Sequence, residues 1–104
     1  MLPDLNRFPF PAYNIVISNW DNTPRSGRRG LVLTGCSPRL FREALNLAFS
    51  NLASRPAEHN TGELIFLKSW NEWAEGNYVE PDQLNGRQFL EAITDAYSDM
   101  GLKK

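Results

Sequence analysis

The stretch Glu63-Leu64-Ile65-Phe66-Leu67-Lys68-Ser69-Trp70 runs directly into Asn71-Glu72-Trp73-Ala74-Glu75-Gly76-Asn77-Tyr78-Val79-Glu80-Pro81-Asp82. Its first part is a short run of continuous rather than alternating apolar residues, which suits a strand covered on both faces. Its second part is polar, and the loop composition continues to about Asn85. The same text occurs upstream. Tyr13-Asn14-Ile15-Val16-Ile17-Ser18-Asn19-Trp20 is a β-branched run with a polar end, followed by the loop-like segment from Asp21 to Gly30. Trp20 and Trp70 thus occupy equivalent points, each at the end of a strand and each followed by carboxylates.

A helix pattern follows each loop. After the short extended piece Leu31-Val32-Leu33-Thr34, Ser37 is a natural N-cap and Pro38 sits at the first helical position, where a missing N–H costs nothing. Phe41, Ala44, Leu45, Ala48, Phe49 and Leu52 then form one apolar face, and Pro56 closes the helix. Asn60-Thr61-Gly62 turns the chain into the second strand. Phe89, Leu90, Ile93, Ala96, Tyr97 and Met100 mark a second amphipathic helix, with Gly101 as its stop. The pattern predicts parallel strands near residues 14–20 and 64–70 and helices near 38–54 and 86–100. Two parallel strands need more cover than this chain supplies, so it reads as part of something larger, and alone it is expected to associate or aggregate.

Composition narrows the classes. The 104 residues allow one domain at most, and 11 Lys+Arg against 12 Asp+Glu give a formal net charge of −1, with no pull toward nucleic acid or anionic lipid. An apolar share of 41% excludes wholesale disorder. No run reaches the roughly 18–20 apolar residues of a membrane span. The lone Cys36 excludes an internal disulfide and reads as a packed thiol; His59 reads as a surface histidine. The Pro-rich lead-in with Pro3, Pro9 and Pro11 reads as irregular, and with no visible signal peptide the default setting is cytoplasmic.

The chemistry concentrates in Trp70–Asp82, which places four carboxylates and two tryptophans in thirteen residues. In parallel α/β folds ligands bind beyond the carboxyl ends of strands. Glu72 and Glu75, three apart, would share a face if they lay on one helical turn, and two such carboxylates suit acid/base work on a glycosidic bond. The bland alternative is a solvated Glu-x-x-Glu helix face. Arg25, Arg28 and Arg29 read as a solvated basic loop, although a phosphate-bearing donor or an acidic glycan is the sharper reading. Glu80-Pro81-Asp82 reads as a brace for the loop. No spacing for a metal, cofactor or phosphate loop is visible.

Ser69-Trp70-Asn71-Glu72-Trp73-Ala74-Glu75-Gly76-Asn77-Tyr78-Val79-Glu80-Pro81-Asp82, then Gly86 and Phe89-Leu90-Glu91-Ala92-Ile93, resembles the C-terminal signature of the WbsX-type glycosyltransferases, a family related to glycoside hydrolase family 99, the endo-α-mannosidases and endo-α-mannanases. Asn19-Trp20-Asp21-Asn22-Thr23-Pro24-Arg25 and the segment from Ser37-Pro38 to Phe41 resemble the preceding motif. The resemblance implies an α/β fold in which residues 1–104 are the C-terminal two βα units of a (β/α)8 TIM-type barrel. It implies Glu75 as general acid/base and Glu72 as the partner that deprotonates the sugar 2-hydroxyl. By their place at the strand ends and beside that pair, Trp20, Asp21, Trp70, Asn71, Trp73 and Tyr78 are the expected substrate contacts. The expected activity is cleavage or transfer of glycosidic bonds in α-mannoside-like glycans of bacterial polysaccharide metabolism, without a metal or cofactor. The expected partners are a glycan or sugar substrate and the remaining barrel segment or a second copy; the alternative is a non-catalytic glycan-binding or structural fragment.

Overall fold

The computed structural model describes residues 7–55 and 63–101. Pro3, Pro56, His59, and the expected turn at Asn60-Thr61-Gly62 lie outside the described residues. The elements run β1 (Ile15–Ile17), α1 (Thr23–Ser26), a 3-10 turn (Gly27–Arg29), α2 (Pro38–Ala53), β2 (Phe66–Lys68), β3 (Asn71–Glu72), a second 3-10 turn (Trp73–Glu75), β4 (Asn77–Tyr78) and α3 (Gln88–Asp99). The fold is mixed α/β: a parallel pair, β1–β2, and a small antiparallel hairpin, β3–β4.

The parallel pairing expected from the doubled text is present, in the register Ile15↔Phe66, Val16↔Leu67, Ile17↔Lys68. The Phe66 N–H extends it by donating to the Asn14 carbonyl at 3.0 Å. Parallel alignment puts Trp20 and Trp70 beyond the same end of the sheet. The strands are shorter than the apolar runs that form them, and only one face is covered. Val16 is buried in the core, whereas Ile15 is 61% and Phe66 51% exposed. Side chains alternate along a strand, so a run that is apolar throughout leaves half its residues on the uncovered face.

Helix α2 begins as its sequence dictates: the Ser37 hydroxyl accepts the Leu40 N–H at 3.1 Å, with Pro38 at the first helical position. Its apolar stripe brings Phe41, Leu45 and Ala48 into the core against Phe89, Ala92 and Ala96 of α3, with Val16 and Val79 completing it. Ala48 and Ala96 are fully buried, and small residues at facing positions let two helices approach closely. Phe41 and Phe89 meet edge-on at 5.6 Å. Helix α3 stops at Gly101, whose φ of 73° is in the left-handed region and whose N–H bonds the Ser98 carbonyl at 2.9 Å.

Three local expectations are corrected. The segment after Trp20 is not all loop: the Asp21 carboxylate accepts the Thr23 N–H at 2.9 Å and starts α1, with Pro24 inside its first turn. The region after Trp70 folds into the β3–β4 hairpin, with Asn71↔Tyr78 and Glu72↔Asn77 paired. Cys36 is exposed rather than packed, because it lies outside the capped start of α2, where its thiol donates to the Leu33 carbonyl at 3.6 Å.

On the outside, Arg42 clamps α2 to α3 with two bonds to Asp99, at 2.7 and 2.6 Å, and Asn46 adds a third at 3.1 Å. The Arg42 and Asn46 hydrogen bonds pull the Asp99 carboxyl down to about 2. A lowered carboxylate contributes stability at pH above its unfolded value of about 3.9 and loses it as pH falls toward the folded value. The expected outcome is that wild type exceeds Asp99→Asn in urea midpoint at neutral pH, and that this gap closes between pH of about 4 and 2. A gap unchanged across that window would show that the Arg42–Asp99 pair does not couple to folding.

Candidate functional site

The two strand ends are joined by a buried amide. Asn77 is 0% exposed, and its Nδ2 donates to the Asn19 carbonyl at 2.7 Å and to the Lys68 carbonyl at 2.8 Å. Both partners are carbonyl oxygens, so the amide orientation is forced by its donors. Around it, Ser69 Oγ donates to the Asn77 carbonyl at 2.9 Å and accepts the Glu72 N–H at 3.2 Å. Ser18 Oγ donates to the Tyr78 carbonyl at 2.9 Å, and the Tyr78 N–H reaches Asn19 Oδ1 at 3.3 Å. The next residue, Val79, is buried in the core and its N–H bonds the Trp70 carbonyl at 3.0 Å. The β3–β4 hairpin is thereby fixed over the carboxyl end of the parallel pair.

The loop after β1 is fixed against this hairpin. The Asp21 N–H donates to the Glu75 carbonyl at 2.8 Å. Gly76 follows with φ of 55°, and a Cβ there would come within 3.1 Å of Asp21. Glycine is required twice at that position, for its backbone conformation and for the close approach. The Arg25 guanidinium reaches over to Glu75 Oε1 at 3.2 Å. Asp21 itself faces its own loop: Oδ1 takes both the Thr23 hydroxyl, at 2.6 Å, and the Thr23 N–H. These two bonds hold the Asp21 carboxyl below its ordinary range, the hydroxyl bond contributing most.

The aromatic residues form a platform. Trp73 and Tyr78 stack with ring centroids 3.7 Å apart and planes within 10°. Each ring is held at its polar edge by a carboxylate. Trp73 Nε1 donates to Glu80 at 2.7 Å and the Tyr78 hydroxyl donates to Asp82 at 2.6 Å. Asp82 is in turn held by the Asn85 N–H at 2.7 Å. Burial, with Asp82 beside it, pushes the Tyr78 hydroxyl up to about 12, so Tyr78 stays a neutral donor. Trp73 remains 48% exposed despite this stack. The expected bracing role of Glu80 and Asp82 is what these bonds show.

The structure brings several sequence-predicted residues together and separates others. Glu72, Trp73, Glu75 and Tyr78 share the hairpin, and Asp21 packs against Glu75 and Gly76 through its backbone. Glu72 and Glu75 do not share a helical turn. Glu72 is a β3 residue with ψ of 74°, whereas Glu75 ends the 3-10 turn. The ladder to Asn77 and the bond to Ser69 hold Glu72 in the hairpin strand and out of a helical conformation, which overrides the three-residue helical spacing. Both glutamates are half-buried. Trp70 and Asn71 are exposed, and Trp20 lies under the Lys68 ammonium, which sits 5.3 Å from the ring centroid. Sequence reasoning missed Asn77 and Arg25 as anchors. The available signal was the recurrence of Ser and Asn at both strand ends, Ser18-Asn19 and Ser69 to Asn71.

Among the described residues no cluster of three acidic, Cys or His side chains could hold a metal ion. A cleft of about 470 Å³ bordered by Phe49, Leu52, Glu63, Ile65 and Tyr97 lies at the opposite end of β2, away from Glu72 and Glu75. Glu63 is the single carboxylate of a lining that is otherwise mainly apolar, so no pair of acid and base groups converges there.

Replacing Asn77 removes the donors of two part-buried carbonyls at once. Asn77→Leu is expected to lose about 1–3 kcal/mol, since two part-buried hydrogen bonds worth about 0.5–1.5 kcal/mol each are removed. Urea denaturation measures this. A loss below about 0.5 kcal/mol, the level of an ordinary surface change, would remove Asn77 as the anchor of the strand ends.

The sequence profile described as glycosyltransferase WbsX matches residues 3–93. Proteins from two strains of Xanthomonas campestris pv. campestris, B100 and ATCC 33913, each named as uncharacterized protein WxcX, are 35% identical over 97 residues. That match covers 89% of this chain and 14% of each relative, so the chain spans about one seventh of their length. No solved structure matches the chain significantly. The match over nearly the whole length shows that the chain belongs to the WbsX glycosyltransferase family.

Proposed function

We propose that the chain carries part of a carbohydrate-active site that breaks or transfers glycosidic bonds, with the edge-fixed Trp73–Tyr78 stack beside Glu72 and Glu75 as the observation that carries it. A flat indole face with an anchored edge presents an apolar surface to the C–H face of a pyranose at little entropic cost. The half-buried carboxylates on the same hairpin supply acid/base groups next to that surface. In this reading Glu75 gives a proton to the departing glycosidic oxygen and Glu72 takes the proton of the sugar 2-hydroxyl. Trp20, Asp21, Trp70 and Asn71 line the approach, with Asp21 contributing through the loop it caps. An α-mannoside-like bacterial glycan is the substrate class, by the resemblance to glycoside hydrolase family 99.

The exposed face of the parallel pair supports a further part of the proposal. Ile15 and Phe66 stand open beside unpaired strand edges, and the relatives are about seven times longer than the matched part. Additional βα units, from a barrel segment or a second copy, would cover that face. Sedimentation of the isolated chain is expected to show self-association. A compact monomer with a cooperative melt would instead favour a small independent α/β domain.

Chemistry is tested with fluorescently labelled α-mannotetraose, incubated with and without the sugar nucleotide GDP-mannose. Shortened products without donor mean hydrolysis; lengthened products that require donor mean transfer. Glu75→Gln and Glu72→Gln are each expected to reduce turnover by about 10²–10⁴-fold, the usual worth of a general acid or base. Glu91→Gln, outside the hairpin, should turn over normally. Near-normal turnover in both motif variants would remove the catalytic assignment and leave a glycan-binding role.

A further inference from the structure

The sequence offers Arg25 as one member of a solvated basic loop, yet the structure places its guanidinium on the Glu75 carboxylate, Nη1 to Oε1 at 3.2 Å. We propose that Arg25 is a positioning residue for Glu75, fixing which carboxylate oxygen the site offers to its substrate. The inference rests on the reading that Glu75 acts on a glycosidic bond.

Three contacts converge on Glu75 and they divide the task. The Asp21 N–H to Glu75 carbonyl bond, at 2.8 Å, and the packing of Gly76 on Asp21 fix where the Glu75 backbone lies. Neither fixes the side chain, which keeps three rotatable bonds, each with its own wells. Arg25 supplies that missing constraint. It holds Oε1, so a proton delivered to a leaving oxygen would travel through Oε2. The guanidinium is planar and its donors form a rigid fork, so even one bond orients the carboxylate more firmly than a lysine would.

The loop is built to aim Arg25. The Asp21 carboxylate, occupied by the Thr23 N–H and hydroxyl, starts α1, and Arg25 lies in its last turn. Asn22 Oδ1 takes the Leu31 N–H at 2.6 Å, and Gly30 is packed so tightly that a Cβ would meet the Gly27 carbonyl at 2.9 Å. The Glu75 side chain is 22% exposed beneath a guanidinium that is 62% exposed. A pair so open to solvent contributes little to folding, so its orienting effect is separable from stability.

The test measures turnover of labelled α-mannotetraose, with and without GDP-mannose, for wild type, Arg25→Met, Arg25→Lys, Glu75→Gln and the Arg25→Met/Glu75→Gln double variant. Arg25→Met is expected to lower kcat roughly 10–100-fold with KM nearly unchanged, the scale of a misplaced reacting group. Arg25→Lys should regain part of the loss, and Arg25→Met should cost nothing further once Glu75 is Gln, because the two act as one unit. Wild-type kcat in Arg25→Met with an inactive Glu75→Gln would overturn the inference and leave the catalytic reading standing. Full turnover in Glu75→Gln would remove both. Independently of turnover, nitrogen-15 NMR should show separate Nη–H signals for Arg25 that collapse to an average in Glu75→Gln. Averaged signals in the wild type would overturn the proposal.

Discussion

A single buried amide holds the candidate-site end of this fold together. Asn77 Nδ2 bonds the Asn19 carbonyl just past β1 and the Lys68 carbonyl that ends β2. A parallel pair of three-residue strands has few ladder bonds to keep its ends in step. At the point where the chain leaves the sheet, its part-buried carbonyls have no ladder partner, and each needs a donor. Asn77 supplies both donors from one side chain. It sits on the hairpin that carries Glu72, Trp73 and Glu75, so satisfying the strand ends also fixes the candidate site.

The remaining order follows outward from that bond. Ser69 and Ser18 repeat the same device with hydroxyls, and Val79 drives the hairpin's base into the core shared by Val16, Phe41 and Phe89. The site above is polar and half-exposed, where individual ion pairs add little to stability. Its geometry comes instead from main-chain contacts, chiefly Asp21 to Glu75 and Gly76 against Asp21, and from carboxylates that hold aromatic rings by their edges. Apolar burial and the placement of the candidate site are thus drawn from different parts of a small molecule: the α2–α3 face supplies the first and the strand ends the second.

The parts that were legible in the sequence are those governed by local rules. Ser37-Pro38 announced the start of α2, the spacing from Phe41 to Leu52 gave its buried face, and Gly101 marked the end of α3. The doubled strand text led to the parallel pairing of β1 and β2. The parts that were not legible depend on partners distant in sequence. Asn77 reads as one more polar loop residue until Asn19, 58 positions away, is brought to it. Arg25 reads as a solvated cation until Glu75, 50 positions away, arrives. Glu72 and Glu75 have helical spacing, but the pairing of Glu72 with Asn77 holds the first of them in a strand. Strand length was overread for a related reason: continuous apolar text shows that a segment can be buried on both faces, and Ile15 and Phe66 are not.

In the proposed reading the hairpin fixed by Asn77 presents the Trp73–Tyr78 platform to a sugar. The most direct test of that reading is a titration of the nitrogen-15-labelled chain with α-mannotetraose, followed through indole and backbone N–H signals. The account predicts saturable shifts at the Trp73 indole N–H, which is bonded to Glu80, and at the Tyr78 and Glu75 amides, with the amides of α2 and α3 unmoved. Shifts confined to Phe49, Leu52 and Tyr97 around the apolar cleft, or no shifts at any site, would contradict it.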